Sequence, residues 1–230
     1  MTNRLLAGRV AIVLGGGGTE AAVARALAAA GAGVVVAGRD PDDGPAALVE
    51  EITATGGDAL AVAADGSVPD SVRRLVEQTL GAYGRLDAAV NLVTRHDDAP
   101  TPLRAVAAGD YDAALRETLY AAFCAMRYEM PAMAAGGGGA VVNLTDADAR
   151  RPTSGFTVRA AAAHGVVGLT RAAAAEYADA GVRANVLVAG GRPGDVAAIA
   201  VWLCSPLSAY VNGTVFPTHE REDISPCVSA

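Results

Sequence analysis

The sequence contains no lysine: all 18 residues of the Lys and Arg class are arginine. An ammonium can shift its pKa and relay protons, whereas a guanidinium stays charged at any ordinary pH, so chemistry that rests on an adjustable amine is excluded. Cysteine is scarce as well. Cys124, Cys204 and Cys227 are odd in number and far apart, which fits neither a disulfide framework nor a zinc site, and free thiols are expected. His96, His164 and His219 are scattered, with no Cys or carboxylate at metal-ligand spacing, so no metal is expected. His96-Asp97-Asp98, after the fourth strand, reads as a solvated loop, with a part in a repurposed site as the alternative. Positive charge is outnumbered, giving a net charge of −7, which leaves no footprint for nucleic acid or an anionic membrane surface. No long apolar segment precedes Val10; neither a secretory signal nor a transmembrane span is expected, and the expected location is cytoplasmic.

What the chain does have is apolar content, 52% over 230 residues, enough to bury the core of one α/β domain. Val10 to Leu14 is a short apolar run, followed by four glycines and an Ala-rich helical stretch to Ala30. This is the strand, tight turn and helix of a nucleotide-binding unit. Alternation then continues. Strands are expected at Val34 to Ala37, Ala59 to Ala64, Leu86 to Val93, Ala140 to Leu144, Ala184 to Val188 and Gly213 to Phe216. Helices are expected at Ala46 to Thr55, Ser71 to Tyr83, Tyr111 to Met133, Thr157 to Ala178 and Asp195 to Cys204. Strands this apolar have no face for water, so the expected fold class is α/β, a single doubly wound parallel sheet with helices on both faces. No second domain and no repeat is visible. Trp202 and Tyr210 are expected to pack the last helix and the loop after it, and the tail 217–230 is expected to be mobile.

From Gly8 to Phe216 the chain resembles the short-chain dehydrogenase/reductase family. The phrases that carry the resemblance are Val10-Ala11-Ile12-Val13, Gly84-Arg85-Leu86-Asp87, Pro131-Ala132-Met133, Val141-Val142-Asn143, Gly165-Val166-Val167-Gly168-Leu169-Thr170 and Gly194-Asp195-Val196-Ala197. The resemblance implies a Rossmann-type sheet, a nicotinamide cofactor, and a dimer or tetramer built through two long helices. It also implies an active site of Asn, Ser, Tyr and, four residues after the Tyr, Lys. Here the matching positions carry Thr118, Asp146, Arg159 and Ala163. In the family a phenol with a pKa near ~10 gives its proton to the alkoxide, helped by a neighbouring cation. Neither phenol nor adjustable cation stands here, and a carboxylate at 146 faces the place where an oxyanion would develop. Asp146 and Arg159 are expected to neutralise each other; the alternative is a new acid/base pair.

The cofactor positions are altered too. Gly15 fits the family's first glycine and Gly18 the middle one, but Thr19 or Glu20 falls where another glycine belongs, as if one residue were missing from the turn. Glu20 at the positive end of the helix is expected to take the amide groups that a phosphate would bind, a self-occupied anion site. Asp65 and Asn91 match the family's adenine-side positions, with Leu92, Val93 and Thr94 replacing the small residues that follow. Arg39 resembles the basic residue used for a 2′-phosphate, though an arginine at a strand end is more often solvated; with the turn altered, no cofactor is expected, and NADP is the one left open. Ala189-Gly190 runs directly into Gly191-Arg192-Pro193-Gly194, where the family has a substrate-covering segment; its deletion leaves any site open. These departures point to a non-catalytic subunit that associates with an active family member, or with itself, through the two long helices. Two alternatives stand beside it: a cyclase, dehydratase or isomerase using Asp146 and Arg159, or a non-standard NAD(P)-dependent oxidoreductase. For the latter Tyr111, Tyr120 and Tyr128 are present, with no lysine to assist them.

Overall fold

A computed structural model describes residues 4–39, 44–92, 99–145 and 153–218. Seven strands form one parallel sheet in the order β3-β2-β1-β4-β5-β6-β7, with β1 Val10–Leu14, β2 Gly33–Gly38, β3 Asp58–Ala63, β4 Ala88–Leu92, β5 Gly139–Thr145, β6 Val182–Val188 and β7 Val215–Pro217. Chain order reverses direction between β1 and β4, which pair from Ala11 with Ala88 to Leu14 with Asn91. A doubly wound sheet opens its crevice at such a reversal, beyond the carboxyl ends of the strands.

Period two along the strands sorts their side chains between two helical layers. Ala11, Val13, Val34, Val36, Val90 and Val142 point to one side, where α1 (Gly18–Ala29), α2 (Pro45–Ala54) and α7 (Pro193–Cys204) cover them. Ile12, Leu14, Val35, Ala89 and Val141 point to the other, under α3 (Pro69–Tyr83), α5 (Ala121–Ala135) and α6 (Thr157–Glu176). Each layer holds one buried cysteine. Cys204 lies in the α1/α7 layer and Cys124 on α5; burial pushes the Cys204 thiol up to about 12 and the Cys124 thiol upward. Cys227 lies outside the described residues.

The phrase Gly84-Arg85-Leu86-Asp87 works at the opposite end of the sheet from the crevice. Asp87 accepts the backbone N–H of Val10 at 2.9 Å and a two-pronged contact from Arg85 at 2.7 and 2.6 Å. It therefore fixes where β1 starts beside β4.

The long helix expected from Tyr111 to Met133 is not continuous. It begins as α4 (Ala108–Leu115), widens to a π turn over Arg116–Tyr120, and resumes as α5. Close approach of α6 accompanies the bulge: a Cβ placed on Gly165 would stand 2.8 Å from a methyl of Leu119. The glycine lets the widened turn lie against α6, and apolar periodicity carries no mark of one extra residue in a turn. Helix α6 ends at Glu176, two residues short of expectation, where a 3₁₀ turn over Ala178–Ala180 leads into β6. Trp202 packs edge-on against Phe216 with ring centroids 5.5 Å apart. Tyr210 does not pack: it is 83% exposed, while its neighbour Val211 is buried. No helix among the described residues is long and apolar enough to cross a membrane.

Candidate functional site

A cleft of about 940 Å³ lies over the carboxyl ends of β1, β2, β3 and β4. Its floor is the turn from Gly15 to Gly18. Gly15 has φ +147°, and a Cβ there would come within 2.7 Å of the Cβ of Leu92, so β4 and the turn meet at a distance only glycine allows. Above Gly17 and Gly18 the space is open. Helix α1 starts at Gly18 with no side chain capping it, which leaves its first amides directed at the cleft. Shape and backbone thus fit a diphosphate-bearing ligand.

The charged groups of the cleft are arranged less simply. Arg39 does not stand free for a phosphate: its Nε meets Asp65 Oδ2 at 3.1 Å. Asp65 Oδ1 also accepts the backbone N–H and the hydroxyl of Ser67 at 2.8 and 2.7 Å. Partial burial raises the Asp65 pKa, but the Ser67 hydrogen bonds and the Arg39 guanidinium outweigh it and hold the carboxyl below the usual range. Arg25 is likewise held, its guanidinium gripping both oxygens of Glu51 at 2.7 Å. Two of the expected cofactor residues, Arg39 and Asp65, are therefore brought together as a pair. Gly15 and Gly18 line the cleft with them.

Glu20 departs from expectation. It lines the cleft yet is 5% exposed, and its Oε1 has no hydrogen-bond partner among the described residues. It does not occupy the amides of α1, so the turn is not a self-filled anion site. The carboxyl packs beside the turn, where a Cβ on Gly16 would be 3.9 Å from Oε2. Burial alone raises its pKa to about 8.

Asn91 also sits elsewhere than expected. It is fully buried on the α5 side of the sheet and is not among the cleft-lining residues. Its amide donates to Glu129 Oε2 at 2.9 Å and to Asn143 Oδ1 at 3.2 Å; Asn143 donates in turn to Thr170 Oγ1 at 2.9 Å. Period two explains the placement, since Asn91 follows Ala89 onto the α5 face. Glu129 is wholly enclosed, and burial, offset in part by the Asn91 hydrogen bond, lifts its pKa to about 7. This carboxyl is not among the site residues expected from the sequence. The signal was present: Ala122, Met126, Met130 and Met133 form the buried stripe of α5, and Glu129 falls within it.

At the four positions matched to the family's active site, Thr118 is buried within the π turn. Ala163 is fully buried and packs with Val186 and Val188 of β6. Arg159, in the first turn of α6, stacks its guanidinium 4.0 Å from the ring centroid of Phe156 and lines a second pocket of about 210 Å³ with Asp110 and Thr101. Asp146 lies outside the described residues, as do His96, Val93 and Thr94, so its pairing with Arg159 has no structural account. Thr145, just before it, is buried, and its hydroxyl has no partner among the described residues.

A parallel sheet with a glycine turn at the reversal of strand order defines a Rossmann-like α/β protein. Residues 18–192 match a family model described as Enoyl-(Acyl carrier protein) reductase. The chain is 33% identical to a short chain dehydrogenase/reductase of Aspergillus oryzae, covering 90% of this chain and 92% of that one. It is 32% identical to the A-factor type gamma-butyrolactone 1'-reductase (1S-forming) of Streptomyces virginiae, covering 93% and 96%. A solved Beutenbergia cavernae structure with bound NADP is 31% identical and superposes with a TM-score of 0.84 over 94% of this chain and 97% of that one. The chain belongs to the short-chain dehydrogenase/reductase family. The relatives overturn the expectation of a non-catalytic subunit, and with it that of a non-redox enzyme: these relatives are named as reductases and dehydrogenases.

Proposed function

We propose that this chain is an oxidoreductase that moves hydride between a nicotinamide dinucleotide and a small carbonyl or alcohol substrate. The cleft at the β1/β4 reversal carries the proposal: its glycine floor is held against Leu92 at a distance that no larger residue permits. The bound nicotinamide would supply or accept the hydride. Gly15, Gly17 and Gly18 would bring backbone amides to the diphosphate, and the adenosine side would lie toward Arg39 and Asp65. NADP is the form found in the Beutenbergia cavernae relative.

In this proposal the proton path differs from the family's. Thr118, Asp146, Arg159 and Ala163 stand at the four catalytic positions, and no lysine exists anywhere to lower the pKa of a phenol. Arg159 would offer N–H donors to the oxygen on which charge develops, keeping its own proton throughout. The proton would then come from water. Only residues 189–192 link β6 to α7, and so short a connection is not itself a cover that would exclude solvent from a substrate.

The test is NADH and NADPH oxidation against a panel of small ketones, with Arg159→Ala alongside. The variant should lose about 10²–10³ in kcat, the effect of removing one oxyanion donor. Failure of both dinucleotides to bind, or full activity in the variant, would sink the proposal.

A further inference from the structure

Among the described residues, the cleft is lined by two arginines and four carboxyl groups: Arg25 and Arg39 with Glu20, Glu51, Asp65 and Glu117. Both arginines are already committed, to Glu51 and Asp65 respectively. Among the described residues, a diphosphate carrying two negative charges would therefore meet an excess of carboxyl groups and two arginines that are already paired. One group can change that balance. Glu20 is 95% buried beside the glycine turn, with one oxygen unpartnered among the described residues. Ionised, it would repel the phosphates; neutral, it is an O–H donor, and its Oε1 has no partner among the described residues.

Building on the dinucleotide reading above, we propose that Glu20 acts as a proton-carrying ligand of the diphosphate, its neutral carboxyl donating a hydrogen bond to a phosphate oxygen, so that dinucleotide and proton bind together. Burial already sets the group to titrate near the physiological range, at about 8. The surroundings add little to that. β1, β2 and β4 contribute no ionisable side chain, since their sequences are VAIVL, GVVVAG and AAVNL. α7 contributes Asp195, exposed and paired to Arg192 at 3.1 Å. α2 brings Glu50 and Glu51, the latter on Arg25. The β2 and β3 ends bring the Arg39 and Asp65 pair, and the π turn brings Glu117, which has its own interaction. Desolvation alone accounts for the shift of Glu20.

The consequence is a pH-dependent affinity with a slope set by one proton. Binding of NADH and of NADPH is to be followed by nicotinamide fluorescence from pH 7 to 9.5, on the wild type and on Glu20→Gln, with circular dichroism confirming the fold across the range. The diphosphate itself does not titrate there. Wild-type Kd should stay level below about pH 8 and then rise about tenfold per pH unit. Glu20→Gln, a neutral donor at every pH, should bind at pH 7 within about threefold of wild type and show no slope. Titration calorimetry of the wild type at pH 8 in buffers of different ionisation heat should show uptake of about half a proton per dinucleotide; this arm holds even if the variant folds poorly. A wild-type Kd flat to pH 9.5, an equal slope in the variant, or no proton uptake would overturn the role of Glu20 while leaving the dinucleotide site intact. No binding of either dinucleotide at any pH would overturn both.

Discussion

Glu129 offers the sharpest test of how this core is held together. A carboxyl wholly enclosed between β4, β5 and α5 keeps its proton in the native state up to about pH 7, whereas in the unfolded chain it titrates near 4.5. Because the folded pKa is the higher, its contribution to stability is fully present below 4.5 and is lost as pH rises through about 7. At about 1.36 kcal/mol per pH unit, that interval corresponds to about 3 kcal/mol. Glu129→Gln keeps an acceptor for Asn91 and removes the titration. Glu20 produces a slope of the same sign in both proteins, so the difference between wild type and variant isolates Glu129. Urea unfolding at pH 5.5 and pH 8 avoids the isoelectric region near 4.9. Between those values the variant should gain about 2 kcal/mol relative to wild type. If the two proteins lose stability in parallel, Glu129 is not a buried acid and its network with Asn91 has been misassigned.

Gly15→Ala should destabilise the fold by about 1–3 kcal/mol, because the new methyl meets Leu92 at 2.7 Å at a positive φ, and should abolish dinucleotide binding; chemical denaturation and fluorescence titration would measure both. Ala163→Lys, which restores the family's lysine by sequence, should lower stability by about 3 kcal/mol or more rather than raise activity, since the site is sealed against Val186 and Val188; the thermal midpoint reads this out. Asp65→Asn releases Arg39 and should improve NADPH affinity relative to NADH severalfold, and an unchanged ratio would mean that Arg39 does not reach the 2′-phosphate.

The doubly wound sheet was legible because its strands are apolar runs bounded by glycine turns, a local signal that tertiary context only reinforces. The site was legible in part. Gly15 and Gly18 mark a strand-to-helix turn by position alone, and both line the cleft. What the sequence concealed depends on direction: Asn91 sits one residue from a cleft-lining position, yet the strand's alternation turns it to the opposite face. Glu20 was expected to take the helix amides, as a helix-end carboxylate usually does, and here packing draws it inward instead. The π turn at Thr118 and the grip of Asp65 on Arg39 are relations between distant segments, which no window of adjacent residues encodes.

The two enclosed cysteines sit on opposite sides of one sheet, and this makes the molecule its own clock. A thiol raised to about 12 inside the α1/α7 layer reacts with a disulfide reagent only when that layer lifts away. The Cys124 thiol reports the same event for the α5 side. With Cys227 replaced by serine, the two labelling rates would show whether the halves come apart in one motion or in sequence.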